Sequence, residues 1–189
     1  MTNVFYSGCK EQTFVGLEYE KLPVYQKDYT AAKYEDVEKI ILAFENDDRT
    51  VVFEDTNPIG MEFEQGHISL EPGAQFEVSL NPVKSIHEMK LFLDKYNAET
   101  AEIAEKFGIC WLGTGIQPVS TYEKIKIIPK KRYAQMTEYL PRKARLPFVM
   151  MRETAGIQVG IDYRDEEDAM NKLATALRLS PIVSAMFAN

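Results

Sequence analysis

Over about the first hundred residues, apolar and polar positions alternate in short runs broken by turns, and beyond them longer stretches place apolar residues three and four apart. The alternation predicts strands over Thr13 to Leu22, Thr50 to Glu54, Gly60 to Glu64, His67 to Glu71, Gln75 to Leu80, Ile109 to Gly115 and Ala155 to Tyr163. Gln65-Gly66 and Pro72-Gly73-Ala74 have turn chemistry, so several of these strands should pair antiparallel. A helix should open at Ser85, where Ser85 and Glu88 form a capping box, and stop at Gly108. Its positions Ile86, Met89, Leu93, Tyr96, Ile103 and Phe107 share one face, which should pack on the sheet. Another should begin near Asp165, with Glu166, Glu167 and Asp168 in the first turn, where the helix dipole favours acids. It should turn Met170, Leu173, Leu177 and Ile182 to the core and be interrupted at Pro181. The fold class expected is α+β, with a mainly antiparallel sheet and helices packed on one face.

The same alternation sorts the carboxylates. A two-residue period puts Glu18 and Glu20 on one face of their strand with Gly16, and Leu17 and Tyr19 on the other. Ser69 and Glu71 likewise oppose Ile68 and Leu70, and Gln75 and Glu77 oppose Phe76 and Val78. Three strands thus offer Glu18, Glu20, Glu71 and Glu77 to what can be one surface. Carboxylates crowded there repel unless a cation lies among them, and Mg²⁺ with its preference for oxygen ligands suits that place. The plainer reading is the solvated face of an ordinary antiparallel sheet, and Glu62 and Glu64, which alternate in the same way, are read so.

Composition narrows the rest. With 189 residues, 45% of them hydrophobic, the chain is expected to form a single domain over 1–189. No apolar run is long enough to span a membrane, and MTNVFYSGCKEQ lacks the basic start and apolar stretch of a secretory signal, so a cytosolic (cytoplasmic) protein is expected. The net charge of -7 argues against a nucleic-acid partner. Cys9 and Cys110 are far apart and have no second Cys or His at ligand spacing, so neither a disulfide framework nor a zinc site is indicated. His67 and His87 stand apart from any nucleophile and are assigned no chemistry.

The residues around these acids resemble those of a known family. Phe14-Val-Gly-Leu-Glu-Tyr-Glu-Lys21 is similar to the opening strand of the glutamate-cysteine ligases of plant and proteobacterial type, and Ile68-Ser-Leu-Glu-Pro-Gly-Ala-Gln-Phe-Glu-Val-Ser79 is similar to their most specific motif. Gly113 to Pro118, Pro129 to Tyr133 with Met136, Tyr139 and Pro141, Met150-Met151, and Thr154 to Val159 follow in the family's order. The resemblance implies a curved antiparallel sheet forming part of a glutamine synthetase-like catalytic core. It implies the ATP-dependent joining of the glutamate γ-carboxylate to the cysteine amine, the first step of glutathione biosynthesis, with Mg²⁺ and ATP held at the acids.

Carried onto this chain, the metal ligands come from Glu18, Glu20, Glu71 and Glu77, and Gln158 lies near the nucleotide phosphates. Arg132 either grips the α-carboxylate of glutamate or is a solvated basic residue at a helix start, and Thr154 either donates to substrate or caps its own backbone. Trp111 reads as core, and Tyr133 as a possible wall of the site. Two departures stand out. Gly160 occupies a position where the family commonly has Asn, and the chain stops at Asn189 where the family runs on. A C-terminally truncated ligase portion is therefore expected, inactive alone and prone to self-association through Leu177, Leu179, Ile182, Val183, Met186 and Phe187. The alternatives are a related ligase with another amine acceptor and a non-catalytic metal-binding module.

Overall fold

The structure is a computed structural model that describes residues 2–188. In chain order the elements are α1 (Thr2–Ser7), β1 (Val15–Tyr25), α2 (Tyr34–Ala43), β2 (Arg49–Glu54), β3 (Asn57–Phe63), β4 (Gly66–Leu70), β5 (Phe76–Val83), α3 (Ile86–Glu105), β6 (Ile109–Leu112), α4 (Lys131–Tyr139), α5 (Pro147–Arg152), β7 (Ile157–Ile161) and α6 (Glu166–Phe187). The seven strands make one antiparallel sheet in the order β2-β3-β4-β5-β1-β6, with β7 also on β1. Each expected strand forms, and the fold is α+β with a mostly antiparallel open sheet. The third strand starts earlier than the alternation suggests, because Asp55 takes a φ of 56° in the tight turn after Glu54, a conformation that Asp tolerates. β6 ends at Leu112, ahead of Gly113-Thr114-Gly115.

β1 is the organising strand. One edge pairs with β5, and the other is shared end to end by β7, along Val15 to Tyr19, and β6, along Leu22 to Tyr25. Apolar side chains on the covered face pack beneath α2 and α3: Leu17, Met61, Ile68, Leu70, Phe76 and Val78 meet Val37, Ile40 and Ile41 of α2 and Met89, Tyr96 and Ala104 of α3. Ser85 caps α3 by accepting the backbone N–H of His87, and Gly108, with a φ of +67°, follows its end. Ile86 does not join the packed face. It is 67% exposed at the first turn, beyond the edge of the sheet.

α6 departs further from expectation. Asp165 caps it by accepting the N–H of Asp168, but the helix continues through Pro181. Proline removes the N–H that would have bonded to the Leu177 carbonyl, and the Ser180 hydroxyl donates to that carbonyl instead at 3.2 Å. Met170, Leu173, Leu177 and Ile182 do not enter the core, each being 53% or more exposed. Their helical spacing gave the helix correctly, but no described element lies over that face.

α4 begins at Lys131, beside the helix start expected at Arg132, whereas α2 and α5 lie outside the expected elements, although Val37, Ile40, Ile41 and Phe44 of the α2 region recur at helical spacing. α4 and α5 close the end of the sheet where β4 turns into β5. The Tyr133 hydroxyl lies 3.2 Å from the Leu70 carbonyl, Ile128 N–H donates to the Pro72 carbonyl, and Gln75 Nε2 donates to the carbonyls of Met151 and Thr154.

Candidate functional site

Register places the acids together. Glu20 on β1 stands directly across from Glu77 on β5, which stands across from Ser69 on β4, and Glu18 lies between Ser79 of β5 and Gln158 of β7. Directly paired residues share a face, so Glu18, Glu20, Glu77, Ser69 and Gln158 all lie on the side opposite α2 and α3. Glu71 follows Ser69 by two residues, on the same side. Ser69 Oγ ties the row together, at 3.3 Å from Glu71 Oε1 and 3.2 Å from Glu77 Oε1. Glu62 pairs with His67 on this face too, but is exposed toward the far edge of the sheet.

Each acid has its own surroundings. Glu20 sits at the seam where β7 gives way to β6: its N–H donates to the Gly156 carbonyl, and its Oε2 accepts the Gly156 N–H at 2.8 Å. Burial, with the neighbouring carboxylates of Glu77 and Glu71, pushes the Glu20 carboxyl up to about 7 despite that donor. Glu77 is also raised, first by burial and then by the charge of Glu71. Glu71 accepts from the buried Tyr133 hydroxyl at 3.0 Å. Burial, then Glu71, holds that phenol far above its ordinary range, so it remains a donor. Glu18 is exposed. Among the described residues no three His, Cys, Asp or Glu side chains form a ready metal-binding group. The row therefore consists of carboxylates hydrogen-bonded to protein donors, hard oxygen groups of the kind a divalent cation takes but not converging on one point among the described residues.

The other candidates flank this row. The Gln158 side chain makes no hydrogen bond among the described residues and lies beside Glu18 on the exposed strand β7. A Cβ at Gly160 would meet nothing within 4 Å, so the backbone there accommodates the family's Asn. Arg132 is exposed at the start of α4 and makes no ion pair among the described residues; its guanidinium lies 6.0 Å from the Tyr133 ring. Thr154 spends its hydroxyl proton on the Met150 carbonyl at 2.7 Å, which leaves its oxygen lone pairs outward. Trp111 packs on Phe76 on the covered face and donates to the Thr100 carbonyl at 3.0 Å.

Residues 14–189 match the profile of glutamate-cysteine ligase family 2. The chain belongs to glutamate-cysteine ligase family 2. Among its relatives are glutamate-cysteine ligase A, chloroplastic, of Oryza sativa subsp. japonica, 36% identical over 97% of this chain and 38% of the relative. The chloroplastic enzyme of Nicotiana tabacum is 36% identical over 97% of this chain and 36% of the relative. That of Arabidopsis thaliana is 34% identical over 97% of this chain and 36% of the relative. The chain thus spans under two fifths of the length of these relatives. All three carry chloroplastic names, which overturns the cytoplasmic expectation. That expectation rested on the lack of a secretory pattern, which bears on one export route and says nothing of import into an organelle.

Two members of the family motifs were passed over in the sequence. Lys21 points to the covered face, only 3% exposed, where its ammonium reaches Thr100 Oγ1 at 2.8 Å and Asn97 Oδ1 at 3.2 Å and lies 4.3 Å from the Tyr96 ring centroid. Burial pushes it down to about 7. Gln75 shares the acid face by alternation, yet it is buried as the joint between β5 and the α5–β7 connection. Nothing short of the third dimension distinguishes a lysine or glutamine of this kind from its exposed counterparts.

The Glu20 shift sets a pH dependence. A carboxyl whose folded value lies above its ordinary 4.5 binds its proton more tightly when folded, so the stability it contributes is present below pH 4.5 and is lost as pH rises to about 7. Thermal melts of the metal-free chain should lose part of their midpoint across that window, and Glu20→Gln, which cannot ionise, should flatten the loss. Parallel pH profiles for the two proteins would show that Glu20 is not the group responsible.

Proposed function

We propose that this chain supplies the metal- and nucleotide-holding acid face of an ATP-dependent ligase that joins the glutamate γ-carboxylate to the cysteine amine. The observation that carries this reading is the cross-strand pair Glu20 and Glu77, joined to Glu71 through Ser69, in a chain of glutamate-cysteine ligase family 2. A carboxylate is a poor acyl donor because oxide is a poor leaving group, so amide formation needs that oxygen made into one. Glu18, Glu20, Glu71 and Glu77 would hold Mg²⁺, which would supply charge neutralisation for the phosphates of ATP; transfer of the terminal phosphoryl group to the γ-carboxylate oxygen would release ADP, and attack of the cysteine amine on the acyl carbon would then expel phosphate.

The chain's own residues position the partners. Glu18, Glu20, Glu71 and Glu77 provide oxygen ligands, and Gln158, alone on its strand because Gly160 carries no side chain, offers its amide to the phosphates. Arg132 binds the α-carboxylate of glutamate through its free guanidinium, whose fork matches two carboxylate oxygens. Thr154 contributes an acceptor toward the amino groups of the substrates. Residues 14–188 act here as one unit, since β1 and β7 join the two ends of the acid face.

Isothermal titration of the chain with Mg²⁺ and a non-hydrolysable ATP analogue tests this. Nucleotide-dependent heat is expected, and metal heat alone would favour a non-catalytic metal-binding module. Arg132→Lys, assayed in the protein that carries this sequence, should raise the KM for glutamate about 10-fold or more while leaving that for ATP nearly unchanged, because lysine keeps the charge but loses the fork. Equal changes in both constants would assign Arg132 to the solvated helix start.

A further inference from the structure

Among the described residues, Tyr133 is the neutral side chain from outside the sheet that hydrogen-bonds to the acid row, and its placement is over-determined. It is 1% exposed, the largest of the fully buried side chains, and its hydroxyl lies 3.0 Å from Glu71 Oε1 and 3.2 Å from the Leu70 carbonyl. Lys130 Nζ stands 3.3 Å from the same hydroxyl and 4.9 Å from the ring centroid. Glu71 sits on the turn between β4 and β5, where its N–H donates to the Gln75 carbonyl and its carbonyl accepts from Ala74. Its backbone is therefore fixed, while its side chain is held by two hydroxyls, from Tyr133 and Ser69, on the same oxygen.

We infer that Tyr133 is a positioning residue: by donating to Glu71 Oε1 it fixes that carboxylate so that the other oxygen, Oε2, is presented to a divalent cation at the acid row. This rests on the proposed metal reading of the acid face. The Tyr133 hydroxyl lies closer to Glu71 Oε1 than to the Leu70 carbonyl and resists rotation of that carboxylate, while the single Ser69 proton is shared between Glu71 and Glu77, so the lone pairs of Oε2 stay free. The α4 helix thereby links two functions, since Arg132, the proposed glutamate clamp, immediately precedes the residue that orients Glu71.

The test is Mn²⁺ binding followed by electron paramagnetic resonance on the chain and its Tyr133→Phe, Ser69→Ala and Glu77→Gln variants, with thermal melts alongside. Tyr133→Phe keeps the ring and removes only the donor. It should weaken Mn²⁺ about 10-fold, as loss of a group that orients a metal ligand does. Ser69→Ala, which removes the second donor without touching α4, should weaken it by a similar factor and keep the claim testable if the phenylalanine variant fails to fold. Unchanged Mn²⁺ affinity in a folded Tyr133→Phe, with Glu77→Gln impaired, would overturn the positioning role and leave the metal site standing. Absence of binding in the unmodified chain would remove the metal reading itself, and the inference with it.

Discussion

Glu77→Gln is expected to reduce ligation about 100-fold or more in the protein that carries this sequence, while the fold is kept. Glu77 is the carboxylate at the middle of the row, opposite Glu20 on one side and Ser69 on the other, so on the proposed reading the amide withdraws one oxygen ligand and one negative charge from the middle of the acid face. The same change relieves repulsion. Glu77 is raised by burial and by the charge of Glu71, so at neutral pH its ionised form opposes folding. A thermal midpoint equal to or above that of the unmodified protein should accompany the loss of γ-glutamylcysteine formation. Activity within a few-fold of the unmodified protein would take Glu77 out of the metal site, and a fall in both activity and midpoint would show that it is needed for structure.

Gly73→Ala should strongly destabilise the joint between the β4–β5 turn and α5. A Cβ at this position would lie 2.6 Å from the Arg152 carbonyl oxygen and 2.9 Å from Arg152 Cα, both backbone atoms at the end of α5, and 3.0 Å from Gln75 Oε1. Backbone cannot swing aside as a side-chain tip can, so α5 must move away from the β4–β5 turn. That strains the bonds from Gln75 to Met151 and Thr154 and the bond from Gly73 N–H to Gln75 Oε1. Overpacking together with weakened buried hydrogen bonds should cost about 2 to 4 kcal/mol. Because the same joint sets β7 beside β1, nucleotide binding should fall as well. Chemical denaturation and titration with an ATP analogue measure the two effects, and a variant that loses neither would mean that the turn has more room than these distances allow.

How legible this was in the sequence depends on which physical signal each feature leaves. Strands left a clear one: Ile68 and Leu70 against Ser69 and Glu71 alternate without error, and this same alternation put four acids on one face before their register was known. The cap was readable at Ser85, where a side chain answers a local backbone N–H, and acids in the first turn marked the start of α6 near Asp165. What could not be read is whatever depends on a partner far along the chain. Gln75 and Lys21 look like ordinary polar residues of a strand until residues 76 to 79 positions away close over them. Periodicity in α6 gave a helix but not its surroundings, since spacing records which residues share a side and not what lies against it. Pro181 misled for a similar reason, because the compensating hydroxyl of Ser180 acts only once the helix exists.

β7 hangs on the sheet by β1 alone, and all five of its residues are exposed. Local opening takes the segments with least buried surface first, so this strand can peel away at a fraction of the cost of disturbing β4 or β5, whose apolar halves lie in the core. Glu20, Glu71 and Glu77 remain in register through such an excursion, whereas Gln158 departs with its strand and Gly156 releases the Glu20 carboxylate. The acid row is thus a fixed floor and the β7 side a hinged wall, which would give the proposed nucleotide a way in that does not require the sheet to come apart.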